Sequence, residues 1–251
     1  MSNFDGLLWL LILLGPLLLS QRQLHREIQA VFLLITRRSD IALVLFSIIF
    51  LPGVLLHELS HFLMALLLRV RTGRFSLIPR PMPNGRLQLG YVETASTDFL
   101  RDALIGLAPL LVGSFFVIYA GLYRMGLPAV WDEVISNGPA SFGAALSALP
   151  NRPDFWLWFY LTCAVSSTML PSASDRRAWL PVFVAILLLF VLALIAGAGP
   201  WLAANLAPLL NKGLRTLAVV MGISVTLQCI LIIPVWFLRR LLSRLTGMEV
   251  A

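Results

Sequence analysis

The sequence predicts an all-α polytopic membrane protein of about six transmembrane helices, with a short β-hairpin-like segment after the second. Three observations predict it. Of 251 residues, 59% are hydrophobic and 12% charged, with a mean hydropathy of +0.89, whereas soluble domains run near 45–50% apolar and about 25% charged. The apolar residues gather into runs close to the roughly 20 residues that a spanning helix needs. The net charge of +7, from 19 Lys+Arg against 12 Asp+Glu, lies between those runs, as in membrane proteins with basic cytoplasmic loops. The same composition excludes a disordered chain and a soluble nucleic-acid binder. The expected surroundings are the lipid bilayer, with no nucleic acid as partner.

Six apolar stretches follow in order: 7–20, 41–68, 100–123, 155–171, 179–200 and 214–238. The first is read as a retained span, since Asp5 precedes it without a positive flank or a small-residue cleavage site after it. Ile28 to Thr36, bracketed by Arg22, Arg26, Arg37 and Arg38, is too short to span and reads as an interfacial helix or an extension of the next span. The stretch 41–68 is long, and Pro52-Gly53 supplies a kink. Trp156, Trp158, Phe159 and Trp179 fit interfacial aromatic belts. Cys163 and Cys229 lie inside apolar runs without a metal-ligand spacing and read as small buried hydrophobes.

The segment 69–99 differs in kind. It carries Arg69, Arg71, Arg74, Arg80 and Arg86, then prolines 79, 81 and 83, then Asn84-Gly85 ahead of the alternating run Arg86 to Glu93. An Asn-Gly turn before a period-two alternation predicts a hairpin or edge strand. With this basic loop in the cytoplasm, Arg176-Arg177 and the C-terminal Arg239, Arg240 and Arg244 fall on the same side and the loop 124–154 on the other. The four arginines of 21–40 then fall outside, against the rule.

Two of the three histidines form one motif, His57-Glu58-Leu59-Ser60-His61. Histidines at i and i+4 share a helix face and can bind one zinc ion, and the glutamate beside the first can act as general base. The motif is flanked by apolar residues on both sides, and ionisable side chains at membrane depth are functional by default. A catalytic zinc site takes a third protein ligand and keeps one open position. The second and fourth spans run parallel, so the C-terminal ends of both face one side. That favours Asp175, which follows Pro171 at the end of the fourth span, over Asp98, Asp102 and Glu93. His25, in the arginine-flanked segment, is expected at the surface.

This pattern resembles the site-2 protease family of intramembrane zinc metalloproteases. The resemblance covers about 41–178 and rests on HExxH in one span, on Thr168-Met169-Leu170-Pro171 followed by Asp175, and on Gly106-Leu107-Ala108-Pro109. Arg176 stands where the family has glycine, Thr168 where it has asparagine, and Ser60 where a small residue is common; no PDZ or CBS domain is visible. The resemblance implies peptide-bond hydrolysis in a transmembrane protein substrate. His57, His61 and Asp175 would hold Zn2+, Glu58 would be general base and later proton donor, and the 84–93 segment would receive an unwound substrate as an added strand. It divides the chain into an N-terminal span with interfacial segment (1–40), a metalloprotease-like membrane core (41–178) and C-terminal transmembrane helices (179–251). The expected location is the plasma membrane, multi-pass, with the site toward the cytoplasm. Two other readings stay open: a non-proteolytic zinc-binding scaffold or regulator, and a transporter in which His57, Glu58 and His61 form a proton or metal path.

Overall fold

A computed structural model describes residues 5–77, 80–81 and 87–248. The helices are α1 (Asp5–Thr36), α2 (Ser39–Leu67), α3 (Phe99–Tyr119), α4 (Leu127–Asn137), α5 (Phe142–Ala148), α6 (Phe155–Ser166), α7 (Trp179–Ile195), α8 (Gly199–Trp201) and α9 (Ala207–Thr246). Between α2 and α3 lie β1 (Thr72–Ser76), β2 (Arg80–Pro81), β3 (Leu87–Gln88) and β4 (Tyr91–Thr94).

Four helical stretches among the described residues are long and apolar enough to cross a membrane: Asp5–Thr36, Ser39–Leu67, Phe99–Arg124 and Gly199–Thr246. The expected fourth and fifth spans are shorter apolar helices of 12 and 17 residues. Each shortening has a local cause. Asp154 takes a left-handed conformation just before α6, and Pro171 cannot donate the amide that would continue that helix. Gly197, at φ 83°, ends the helical path of α7, and Gly199 opens the next helix.

The segment Ile28 to Thr36 is neither a separate interfacial helix nor an extension of the second span; it continues the first. Ser20 to Glu27 looks like a polar break in the sequence, yet Ser20 and Glu27, which face inward, are satisfied by α9. The Ser20 hydroxyl donates to Gln228 Oε1 at 2.7 Å, and Arg239 Nε reaches Glu27 Oε2 at 2.6 Å. Glu27 is 5% exposed in its side chain and Arg239 28%. Breaking a buried pair from one side leaves an uncompensated charge, at a cost of roughly 3–5 kcal/mol when both groups are fully enclosed. Because Arg239 is partly open, Glu27→Ala is expected to destabilise by about 2 kcal/mol. The drop in thermal midpoint of the detergent-solubilised chain checks this, and a midpoint equal to wild type would make the pair a surface ornament.

The direction of α9 overturns one part of the expected sidedness, the placement of the C-terminal arginines beside the loop 69–99. Gly6 donates to Asn211 Oδ1, Ser20 meets Gln228, and Glu27 meets Arg239, so α1 and α9 run parallel. The short turn at Arg37-Arg38 makes α1 and α2 antiparallel. The C-terminal arginines therefore sit at the end of the bundle that carries Arg37 and Arg38, opposite the loop 69–99 and Arg176-Arg177. The chain begins α7 and reaches Asn211 on the side of that loop, so the path between them makes no net crossing of the bundle, and none of the residues of α7 is buried. Arginines thus flank both ends, and their placement does not assign the cytoplasmic side.

The bundle core is built from α2, α3 and α6, with α9 behind them. Tyr160 donates to the Ile49 carbonyl, Gly53 packs on the Ala164 backbone, and His57 meets the Thr168 carbonyl, all at one offset of 111 residues. A constant offset means that α2 and α6 run parallel, as the sequence argument required. α3 runs antiparallel to both: Gly113 lies against Met169 and Gly106 against Asp175. The close approach at Gly53 exists because no Cβ is there to strike the Ala164 carbonyl.

The β segment is two small antiparallel ribbons, β1 with β4 and β2 with β3. The Asn84-Gly85 turn lies outside the described residues. The run expected as one strand over 86–93 is interrupted at Leu89-Gly90. Leu77 and Leu89 pack onto the cluster of Phe46, Phe50 and Val54, which draws this segment down along α2. His25, expected at the surface, is instead wedged edge-on against Phe46 and Phe50, with ring centroids at 5.2 and 4.8 Å. Cys163 is buried as expected, while Cys229 is exposed on the outer face of α9.

Candidate metal centre

The site sits where α2, α3 and the end of α6 converge. The sequence places His57, Glu58 and His61 in the last three turns of α2, and the fold turns both imidazoles inward. His57 Nδ1 lies 2.7 Å from the carbonyl oxygen of Thr168, and His61 Nδ1 lies 2.8 Å from that of Ile105. A carbonyl can only accept, so in each ring Nδ1 carries the hydrogen and Nε2 keeps its lone pair. This backbone anchoring of one ring nitrogen is the usual outer-shell arrangement of a metal-binding histidine.

The two Nε2 atoms face each other at 3.2 Å. Asp175 closes the group, with Oδ1 at 3.4 Å from His61 Nε2 and Oδ2 at 3.7 Å from His57 Nε2. Ligand atoms at about 2.0–2.1 Å from a tetrahedral zinc stand roughly 3.3 Å apart along the tetrahedron edges. Three lone-pair donors converge at that spacing, an arrangement that repels itself unless a proton or cation sits among them. The group His57, His61 and Asp175 could hold a metal ion, and the chemistry of the donor set fits zinc.

Asp175 is held by its own loop. Its Oδ2 accepts from the Ser172 backbone N–H at 2.7 Å, and its backbone N–H donates to Ser172 Oγ at 3.3 Å. Burial pushes the Asp175 carboxyl up, but the Ser172 N–H and donation from His57 and His61, which requires a proton on the facing Nε2 atoms, hold it well below the usual carboxylate range. A depressed value means that the stabilisation is present above the unfolded carboxylate's value of 3.8 and is lost only as pH falls through the lower folded value.

Glu58 is buried beside this group. The backbone of Gly90 passes directly over it, so that a Cβ there would meet Glu58 Cγ at 2.8 Å and Oε1 at 3.0 Å. That crossing explains the break between β3 and β4: the chain must lie flat against a carboxylate where only glycine fits.

The other acidic candidates lie elsewhere. Asp98 caps α3 by accepting from the Arg101 backbone N–H. Glu93 accepts from the Arg74 backbone N–H within the β1–β4 ribbon. Asp102 takes a forked bond from Arg177 at 3.0 and 3.3 Å, which ties the Asp175 loop to α3. Sequence reasoning missed the two carbonyls that anchor the rings; the signal available for Thr168 was Pro171, which breaks the helix there. No protein-family model, curated protein or solved structure matches this chain.

Proposed function

We propose that this chain is an intramembrane zinc metalloprotease that hydrolyses peptide bonds of membrane-embedded protein substrates. The observation that carries the reading is the convergence of His57 Nε2 and His61 Nε2, 3.2 Å apart, on the Asp175 carboxylate, whose two oxygens lie 3.7 and 3.4 Å from them, with Glu58 beside them on an apolar helix. Its support from sequence is the resemblance of HExxH and the Pro171…Asp175 segment to the site-2 protease family.

When bound, zinc supplies Lewis acidity, polarising a scissile carbonyl and lowering the pKa of water from 15.7 toward about 7. The chain's own groups do the rest. Glu58 takes a proton from the attacking water and returns it to the leaving amine. The Thr168 and Ile105 carbonyls keep His57 and His61 in the tautomer that offers Nε2. A helical substrate must unwind before its carbonyl is reachable, and the 84–93 segment would take the unwound stretch as an added strand. We further infer a plasma-membrane location.

The test is cleavage of a single-span membrane protein by the full chain in liposomes, with zinc content measured alongside. Cleavage that stops on removing zinc with a chelator and returns on adding it back is the expected result. Zinc bound without any cleavage would favour the scaffold reading, and absence of bound zinc would leave the proton-path reading.

A further inference from the structure

Helix α6 ends in a way that leaves the carbonyls of Ser167 and Thr168, among others, without their helical partners. In a continuing helix the Ser167 carbonyl would accept from residue 171, and the Thr168 carbonyl from residue 172. Residue 171 is proline and has no N–H. The N–H of Ser172 is turned to Asp175. Orphaned carbonyls inside a membrane protein each cost several kcal/mol unless another donor is found.

The two are satisfied from different directions. His57 Nδ1 takes the Thr168 carbonyl, which fixes the ring for metal binding. Gln21, on α1, donates its side-chain N–H to the Ser167 carbonyl at 2.5 Å. One residue of backbone separates the two bonds. Behind Ser167, Gln228 on α9 is fully buried, accepts from Ser20 at 2.7 Å and points its amide at the Ser167 hydroxyl at 3.5 Å. Ser167 itself is 1% exposed, which shields it from bulk solvent.

We propose that Gln21 is a positioning residue of the metal centre: its amide stands in for the N–H lost at Pro171 and thereby fixes the Thr168 carbonyl that holds His57. This rests on the metal-centre reading above. It assigns α1, outside the HExxH core, a role at the site, with Gln228 and Ser20 completing the support from α9.

The test uses the full chain in detergent, loaded with zinc or with cobalt(II), and compares wild type with His57→Ala, Gln21→Met and Gln21→Asn. Loss of an outer-shell partner typically weakens metal binding 10–100-fold. Gln21→Met, which keeps the volume and removes the donor, is expected to weaken zinc retention against a chelator about tenfold and to shift the cobalt(II) visible bands. Gln21→Asn keeps the amide one methylene short and is expected between Met and wild type, a rescue that packing alone would not give. Wild-type retention with an unchanged cobalt spectrum in Gln21→Met, or retention in Gln21→Asn no better than in Gln21→Met, overturns the assignment of Gln21 alone. Retention in His57→Ala equal to wild type overturns the metal centre itself, and this inference with it.

Discussion

Glu58→Gln is expected to keep the wild-type zinc content and to lose peptide-bond cleavage. A positioned acid–base group contributes about 10²–10⁴-fold, and Glu58 serves both halves of the proposed reaction, so the loss should lie at the upper end. The amide preserves size and leaves the three converging ligand atoms untouched. Zinc analysis and the liposome cleavage assay on the same preparation check both halves of the expectation. Cleavage within a few-fold of wild type would remove Glu58 from the chemistry, and proteolysis with it. Loss of zinc together with activity would make Glu58 part of the metal site instead.

Gly106→Ala is expected to cost the metal site although Gly106 touches no metal ligand side chain. A Cβ at Gly106 would strike the backbone carbonyl oxygen of Asp175, with the Asp175 carbonyl carbon at 2.9 Å. The obstacle is backbone, on a loop tied by Arg177 to Asp102 on the same helix, so neither side can yield by changing a rotamer. Asp175 must move, and zinc retention should fall 10–100-fold, as for loss of an outer-shell support. Gly15→Ala is the control: nothing lies within 4 Å of its Cβ, and an exposed helical glycine loses nothing by becoming alanine. Equal zinc retention in the two variants would show that α3 does not set the position of Asp175.

Much of the architecture was legible along the chain. The HExxH spacing put two imidazoles on one helix face whatever the surroundings, because 3.6 residues per turn is a local property. The parallel relation of α2 and α6 followed from counting one span between them, and the offset of 111 residues along that pair realises it. The merged helix α1 was not legible. Ser20 and Glu27 interrupt the apolar run, and hydropathy counts each as a penalty, whereas packing on Gln228 and Arg239 turns them into satisfied interior groups. The end at which the C-terminal arginines lie was illegible for the same kind of reason: the number of apolar runs does not tell which of them return across the bundle.

The sequence by itself determined the membrane class, the helix that carries His57, Glu58 and His61, and the helix break at Pro171, because each depends on residues within a few turns of one another. Only the tertiary structure decided that Asp175 reaches both imidazoles while Asp98, Asp102 and Glu93 do not, that Gly90 lies on Glu58, and that Gln21 answers a carbonyl 146 residues away. Those outcomes depend on which orphaned donors and acceptors meet once the helices pack. In a medium without water to satisfy them, every such group must find a partner inside the protein, and the partner's distance along the chain leaves no trace in local pattern.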